Sequence, residues 1–450
     1  MPNSPTYSIH TMGCKLNFYD SEVIANGLEN HGFKKSSDPY SSDLLLLNSC
    51  TVTNNSDSES RNLIRKFRRN NNNGFLVVTG CYAQAKKADI SAMEEVDFVT
   101  TNVDKYDVNP IVRAFHGAAV HSSESHDIME KRPAEFRILE RFEAKTRAFI
   151  KIQDGCNLRC AYCIIPFVRG NNRSVPLENV VKQIKTLDSS GVREVVLTGI
   201  HIGTWGQDLQ PKTTFTDLVH GLDQADHNLW IRISSLDSPE IPDKLIDLMK
   251  NSRKVVPHLH IPLQAGHNAT LIRMGRGYTI EQFKDRVLKL KENMPEICIG
   301  ADVIVGFPGE TDEEFAGTEA FLNSIPMDYL HVFPYSNRSG TRASKMKEQI
   351  NGRIIKNRAR ILREFSAIRR SQHIERHADT NRNAIIIRSK NKEAPYKALT
   401  DNYIECNLNH HALKDKIQEE QLELSGRRLE IRITVTGDAT PVAEPIQLLD

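Results

Sequence analysis

The sequence predicts an α/β protein in three parts: an N-terminal open parallel α/β sheet domain, a central partial (β/α)6 barrel and a small C-terminal all-β domain. Three observations predict it. Apolar segments alternate with helix-period segments between residues 6 and 118, the pattern of a parallel sheet with crossover helices. Six β-like segments, each followed by a helical or loop stretch, recur between residues 146 and 345. A long basic helix then leads into a tail of short β segments. With 450 residues the chain exceeds a single ordinary domain. Its 39% hydrophobic and 26% charged residues describe a globular protein, and a net charge of +2 leaves any nucleic-acid surface to local clustering. The start shows no signal pattern, and the longest apolar runs, such as Leu44 to Leu47, are far short of a membrane span. The expectation is a cytoplasmic protein with no membrane partner. In that reducing compartment eight cysteines are metal ligands or small core residues rather than disulfides.

In the first part, strands are expected at residues 7–12, 43–47, 75–79 and 96–100, with helices at 20–30 and 56–69. Each of the first three strands ends in a cysteine: Cys14, Cys50 and Cys81. The carboxyl ends of strands in an open α/β sheet form one ligand-binding edge, so topology alone brings the three together. An iron–sulfur cluster on three protein ligands is one reading; three buried core cysteines are the other. Asn17, Asn48, Thr51 and Gln84 lie near enough in sequence to hydrogen-bond cluster sulfurs. Arg61, Arg65, Lys66, Arg68 and Arg69 give the second helix a basic face, either solvated or phosphate-binding. Residues 119–141, without apolar period, read as a surface linker.

In the second part, strands are expected at 148–152, 194–200, 230–234, 258–263, 299–305 and 329–333, with helices at 177–187 and 280–293. Barrel chemistry sits at strand carboxyl ends. There the first strand is followed by Cys156, Cys160 and Cys163, spaced Cys-x3-Cys-x2-Cys. Three thiolates on a four-iron cluster leave one iron open to a small molecule; a zinc knuckle borrowing a fourth ligand is the alternative. Further strand ends carry Thr198-Gly199, Ser234-Ser235, Gln264-Ala265-Gly266 and Ile304-Val305-Gly306.

These pieces resemble the methylthiotransferases, a branch of the radical S-adenosylmethionine (SAM) enzymes. The resemblance is carried by Gly13-Cys14-Lys15-Leu16-Asn17, Asn48-Ser49-Cys50-Thr51-Val52-Thr53, Gly80-Cys81-Tyr82-Ala83-Gln84, Gln153-Asp154-Gly155-Cys156-Asn157, Phe307-Pro308-Gly309-Glu310 and Phe333-Pro334-Tyr335-Ser336. It implies domains at 6–118 (methylthiotransferase N-terminal), 142–375 (radical-SAM core with connector helix) and 376–440 (RNA-binding, TRAM-like). It implies two [4Fe-4S] clusters, one on Cys156, Cys160 and Cys163 that cleaves SAM, the other on Cys14, Cys50 and Cys81. Tyr162 would neighbour the adenine of SAM, Thr198 and Gly199 the methionine amino group, Ser235 and Gln264 the ribose, and Ile304 and Gly306 the adenine. Cys298 and Cys406 match no ligand position and read as structural.

Cys50-Thr51-Val52-Thr53 and Leu197-Thr198-Gly199-Ile200-His201 are most similar to the group that acts on N6-threonylcarbamoyladenosine in tRNA. Ser49, Ala265 and the run Asn171-Asn172-Arg173-Ser174 depart from the pattern. The implied reaction uses one SAM to methylate sulfur at the N-terminal cluster and a second to give a 5′-deoxyadenosyl radical. That radical takes hydrogen from carbon 2 of the adenosine, where the methylthio group enters; a cofactor is needed because no side chain activates such a bond. The implied partners are a tRNA anticodon stem-loop, a flavodoxin- or ferredoxin-like reductant protein and a sulfur donor. The alternatives are the same chemistry on N6-isopentenyladenosine or on an aspartate of a ribosomal protein, and a non-catalytic iron–sulfur or zinc protein that binds RNA.

From Arg353 to Arg376 apolar residues recur at helical spacing among many basic ones, an amphipathic connector helix suited to phosphate. Strands are expected beyond it at 383–387, 403–406 and 429–435, with a polar insert at 410–420.

Overall fold

The computed structural model describes residues 4–119, 121–123, 126–130, 132–140, 142, 147–388, 396–409, 426–434 and 440–449. In the N-terminal part, β1 (Thr6–Thr11), β2 (Lys34–Lys35), β3 (Leu44–Ser49), β4 (Phe75–Gly80) and β5 (Phe98–Val99) form one parallel sheet in the order β2-β1-β3-β4-β5. Every residue of β3 is buried, as a central strand covered on both faces requires. The crossovers carry α1 (Lys15–Asn30), α2 (Asn54–Asn70), α3 (Cys81–Ala85), α4 (Lys87–Ser91) and α5 (Asn109–Phe115). The Thr53 hydroxyl caps α2 by accepting from the Ser56 amide. Edge strand β2, two exposed lysines, has no apolar signal and was not legible.

The expected surface linker is instead tied down at both ends. Ser122 bridges Val99 of β5 in parallel, and Leu139 exchanges two hydrogen bonds with the Gln183 side chain. These contacts run through backbone groups, which leave no side-chain pattern to read. Residues 120, 124, 125, 131 and 141 of the linker lie outside the described residues.

In the central part, β6 (Ala148–Lys151) is followed by the short antiparallel pair β7 (Gln153–Asp154) and β8 (Arg173–Ser174), with α6 (Ile165–Arg169) between them. Then come α7 (Leu177–Ser189), β9 (Glu194–Thr198), α8 (Phe215–Gln224), β10 (Trp230–Ile233), α9 (Asp243–Asn251), β11 (His258–His260), α10 (Asn268–Met274), α11 (Ile280–Asn293), β12 (Cys298–Val305), α12 (Asp312–Asn323) and β13 (Tyr329–Pro334). Two parallel triplets, β6-β9-β10 and β11-β12-β13, are joined by a bridge between Ser235 and His260. The six strands thus follow one another in chain order as an open curl, the predicted partial barrel. Ala301, Val303 and Val305 face the helices and are buried, whereas Asp302 and Ile304 between them are only half-buried. Asp302 pairs in register with exposed His331, and Ile304 with exposed Phe333, so the inner face is an accessible lumen. Helix α1 lies along β6, with Phe18 beside Phe149 (6.2 Å between ring centroids) and the Lys151 ammonium 5.4 Å from the Tyr19 ring centre.

Helix α13 (Gly352–Arg376) returns across the outside of β13. Two of its arginines, with His373, are held by acids of the protein itself. Arg358 donates to Glu310 (2.6 Å) and Asp312 (2.7 Å), and both His373 and Arg376 turn to Asp328, which Lys291 also holds (2.7 Å). Asp328 is 1% exposed. Asp328→Asn is expected to lower stability by about 3 kcal/mol, because enclosed Lys291 and His373 lose their counter-charge. Limited proteolysis should then cut first around α13.

The C-terminal part is a closed five-stranded barrel: β14 (Asn381–Arg388), β15 (Tyr396–Thr400), β16 (Glu405–Leu408), β17 (Arg428–Thr434) and β18 (Val442–Leu448), in the order β14-β15-β16-β18-β17. β15 and β18 were not expected from the sequence: each is half-buried and interrupted by polar residues or proline. Tyr403, expected to open a strand, stands in a turn with φ 71°. Its ring stacks on His258 (4.1 Å) and covers the Arg232 guanidinium (5.3 Å), so the C-terminal barrel stops one end of the lumen. The insert at 410–420 lies outside the described residues, among which no helix is long and apolar enough to cross a membrane.

Candidate paired-cluster site

Cys14 is the N-cap of α1, Cys50 follows β3 directly and Cys81 opens α3. All three occupy the carboxyl edge of the sheet. Gly13, at φ +90°, lets them approach: a Cβ there would stand 2.9 Å from Cys50 Sγ. Burial, with the neighbouring Cys81 and Cys14 thiols, pushes the Cys50 pKa up to about 11. Cys14 is exposed to solvent yet walled in by protein, and that enclosure raises its thiol too, against the pull of Arg169.

The Asn17 backbone amide bonds the Cys14 sulfur, but the side chains of the polar neighbours proposed from sequence turn elsewhere. Asn17 donates to the carbonyls of Met12 (2.8 Å) and Ser49 (3.1 Å), and Asn48 to the Asn17 carbonyl and Ser21 Oγ. Thr51 donates to Asp57, and Gln84 accepts from the Asn102 amide. Cys81 Sγ instead accepts from Arg169 Nε (3.4 Å) and Asn102 Nδ2 (3.5 Å). Neither donor adjoins a cysteine in sequence, so neither was legible.

The second set sits on the loop after β7, not directly after β6. Gly155 starts it at φ +72°, and a Cβ there would lie 1.9 Å from the Asn171 carbonyl oxygen. Gly155→Ala is therefore expected to displace this loop and with it Cys156, Cys160 and Cys163; faster alkylation of these three thiols in the purified variant checks it. Gln153 pins the loop by accepting from the amides of Ile200 (2.9 Å) and His201 (2.8 Å) and donating to the Gly155 carbonyl (2.6 Å). Cys156 Sγ accepts from the Leu158 amide (3.3 Å) and lies 3.7 Å from His201 Nδ1. Cys160 Sγ accepts from Arg276 Nη1 (3.4 Å), and burial with the two companion thiols pushes Cys163 up to about 12. Burial opposes charge on His201, but hydrogen bonds to Asp237, Cys156 and Glu240 outweigh it and push its pKa up to about 12. Asp237 also pairs with Arg276 (2.5 Å).

The residues expected to touch SAM stand on the loop itself or at strand ends of the barrel. Tyr162 and Ile304 pack into one apolar cluster with Tyr278 and Phe307. Thr198 ends β9, Ser235 bridges His260, and Gln264 takes a left-handed turn (φ 65°) between Asp302 and Ile304. Gly199 and Gly306 are required by the protein's own packing: a Cβ would stand 2.8 Å from the Gln153 carbonyl oxygen at one and 2.3 Å from the Ile355 side chain at the other.

Each set offers three free thiols, and the two remaining cysteines, Cys298 and Cys406, are buried in β12 and β16. Three thiolates without a fourth fit a four-iron cluster with one open iron better than a closed zinc site.

The lumen beside them is charged. Glu194 accepts from Arg232 (2.9 and 3.0 Å) and Arg147 (3.0 Å), and Asp302 binds His260 (2.8 Å) with His331 3.6 Å away. Lys15, next to Cys14, is exposed to solvent; crowding by protein together with Arg147 and Arg232 lowers its pKa to about 8. Arg169, 1% exposed, ties the two parts together: it donates to Asn17 Oδ1 (2.5 Å) and Asp20 (3.0 Å) of α1 and to Asp154 (3.5 Å) of β7. Burial alone would raise the Asp20 pKa, but Lys105 and Arg169 hold it well below the usual range.

Residues 150–322 match the family described as the radical SAM superfamily, and residues 6–101 match uncharacterized protein family UPF0004. The chain is 38% identical over 407 residues to threonylcarbamoyladenosine tRNA methylthiotransferase MtaB of Bacillus subtilis (strain 168), covering 89% of both. The chain belongs to the radical SAM methylthiotransferase family. A second MtaB, from Aquifex aeolicus (strain VF5), is 36% identical over 88% of this chain and 95% of its own. The tRNA-2-methylthio-N(6)-dimethylallyladenosine synthase of Carboxydothermus hydrogenoformans (strain ATCC BAA-161 / DSM 6008 / Z-2901) is 33% identical, over 86% and 89%. Among solved structures, the radical SAM methyltransferase TsrM of Kitasatospora setae, with cobalamin and a [4Fe-4S] cluster, superposes with TM-score 0.54 at 14% identity, over 74% of this chain and 72% of TsrM. That likeness is one of fold.

Proposed function

We propose that this methylthiotransferase places a methylthio group on carbon 2 of N6-threonylcarbamoyladenosine beside the tRNA anticodon. The observation that carries this reading is the pairing of two three-thiol sets, one on each side of the Arg169 junction, at the edge of a single charged lumen. Relatives at 36–38% identity that carry the threonylcarbamoyl name support the substrate. Cys156, Cys160 and Cys163 would hold one [4Fe-4S] cluster and Cys14, Cys50 and Cys81 another. When bound, the clusters and SAM supply the radical that takes hydrogen from carbon 2 and the methylated sulfur that replaces it. The chain's own residues do the rest. Arg276 and His201 hold the cysteine loop in place through Cys160 and Cys156. Tyr162, Ile304 and Phe307 give the adenine of SAM a dry apolar seat. Thr198 and Gly199, after β9, would meet the methionine amino group of SAM, Ser235 and Gln264, beyond β10 and β11, its ribose, and Gly306, after β12, its adenine. Arg169 and Asn102 turn their donors toward Cys81, countering negative charge at the N-terminal set. A reductant protein of flavodoxin or ferredoxin type and a sulfur donor complete the partner set.

The same chemistry on isopentenyladenosine is the second reading, supported by the 33%-identical dimethylallyladenosine synthase. Nucleoside mass spectrometry of bulk tRNA from cells with and without the gene separates the two. Selective loss of methylthio-threonylcarbamoyladenosine is the expected result. A fall in the isopentenyl counterpart alone would move the substrate to the second reading, and no change in either would overturn both.

A further inference from the structure

Along β13 the side chains alternate: Leu330 and Val332 are buried, whereas His331 and Phe333 face the lumen. Their in-register partners on β12 are Asp302 and Ile304. The lumen wall therefore carries two layers. Ile304 and Phe333 form an apolar layer near the strand carboxyl ends, where Ile304 packs with Tyr162 and Phe307. Asp302 and His331, joined by His260 of β11, form a polar layer two residues back along the strands, about 7 Å deeper.

The polar layer is fixed on one side and open on the other. Both histidines turn to one oxygen, Asp302 Oδ1, with His260 Nε2 at 2.8 Å and His331 Nδ1 at 3.6 Å. His260 is pinned again through Nδ1, 3.3 Å from the Tyr329 hydroxyl, and its ring lies 4.9 Å from that of His331. Glu194, the other lumen carboxylate, is taken by Arg147 and Arg232. The His331 side chain is 56% exposed, and its Nε2 has no partner among the described residues. With Nδ1 toward Asp302, Nε2 accepts a hydrogen bond when the ring is neutral and donates one when it is charged.

We propose that His331 is the specificity-determining residue for the N6 substituent of the substrate adenosine, hydrogen-bonding the polar threonylcarbamoyl arm through Nε2. The proposal rests on the substrate reading above and deepens it. A base seated against Ile304 and Phe333 sends its N6 arm over the polar layer. The threonylcarbamoyl arm carries a carbonyl, an N–H, a hydroxyl and a carboxylate, all able to meet Nε2. An isopentenyl arm is hydrocarbon and would strip water from His331 and Asp302 without replacing its hydrogen bonds. A site built to hydrogen-bond a substrate rejects the analogue that lacks the polar group.

Cluster-loaded enzyme is assayed on two anticodon stem-loop RNAs, one bearing threonylcarbamoyladenosine and one isopentenyladenosine, with methylthio product read by mass spectrometry. The readout is the ratio of kcat/KM on the two RNAs, which cancels any general loss of activity. His331→Phe keeps a planar ring and removes both nitrogens; it is expected to lower the ratio roughly 10- to 100-fold. His331→Gln, which keeps a hydrogen-bonding group, is expected to retain most of it. If His331→Phe turns over neither RNA, the ratio of the two dissociation constants, by fluorescence anisotropy, decides in the same way. A native preference for threonylcarbamoyl RNA that survives in His331→Phe would overturn the role of His331 alone. So would a raised KM for SAM with the ratio intact, which would give the imidazole to SAM. Zinc bound by the native enzyme and lost in His331→Phe would also overturn it, by making His260, Asp302 and His331 a metal site. Native enzyme that prefers isopentenyl RNA would overturn the substrate reading itself.

Discussion

Replacing Cys14, Cys50 and Cys81 together by alanine is expected to abolish methylthio product while 5′-deoxyadenosine formation from SAM survives. Replacing Cys156, Cys160 and Cys163 is expected to abolish both. Each triple variant should retain roughly four of the roughly eight iron atoms of the reconstituted protein. The asymmetry follows from the geometry. Only the second set lies among the strand-end residues of the barrel, with Tyr162 and Ile304 packed beside it. The first set belongs to a separate sheet and meets the barrel through Arg169 and Asn102, the latter donating to both Cys81 Sγ and the Val168 carbonyl. Iron analysis and chromatography of SAM cleavage products check the result. Iron content unchanged in either variant would remove those three cysteines from the ligand list.

The second large effect is expected at Arg169. Arg169→Met keeps most of the volume and removes the charge, leaving Asp20 and Asp154 buried with fewer partners. The loss should be about 3–5 kcal/mol, the cost of breaking a buried pair from one side. Lys105 and Tyr106 remain on Asp20, and Lys151 and Arg173 remain near Asp154, so the variant should still fold. Arg169→Lys should not restore it, because one ammonium cannot replace a planar fork that reaches Asn17, Asp20, Asp154 and Cys81 at once. The signature of the bridge is a change in cooperativity: thermal melting should split into two transitions, where the native protein gives one.

The six cysteines and the strand ends that carry them were legible because strand–helix alternation is a side-chain pattern and strand ends are where such folds gather their chemistry. Helix α11 was read to the residue, since Thr279 and Gln282 form a capping box that marks its start. The residues that bond the sulfurs were not legible. Arg169, Asn102 and Arg276 reach cysteines 88, 21 and 116 positions away, and no local spacing encodes such a contact. The same holds for the lumen: Arg147, Arg232, Glu194, His260 and Asp302, which pair there, come from five different segments. The use of two connector-helix arginines was hidden for a related reason. Arg358 and Arg376 look free in sequence, and only the returning chain shows that Glu310, Asp312 and Asp328 hold them. Strands β15 and β18 escaped because half-buried strands of a small barrel lack a clean alternation.

Arg169 also has a consequence for biosynthesis. Asp20, fully shielded in the finished protein, is synthesised long before the arginine that helps to neutralise it. The N-terminal sheet can form as it leaves the ribosome, with Lys105 paired to Asp20 before Lys151 and then Arg169 are added. Cys81 waits for the same event, because α6 carries its strongest donor. The arrangement couples maturation of the first thiol set to translation of the second, which lies entirely upstream of Arg169. Both thiol sets are therefore synthesised before the arginine that links their two parts.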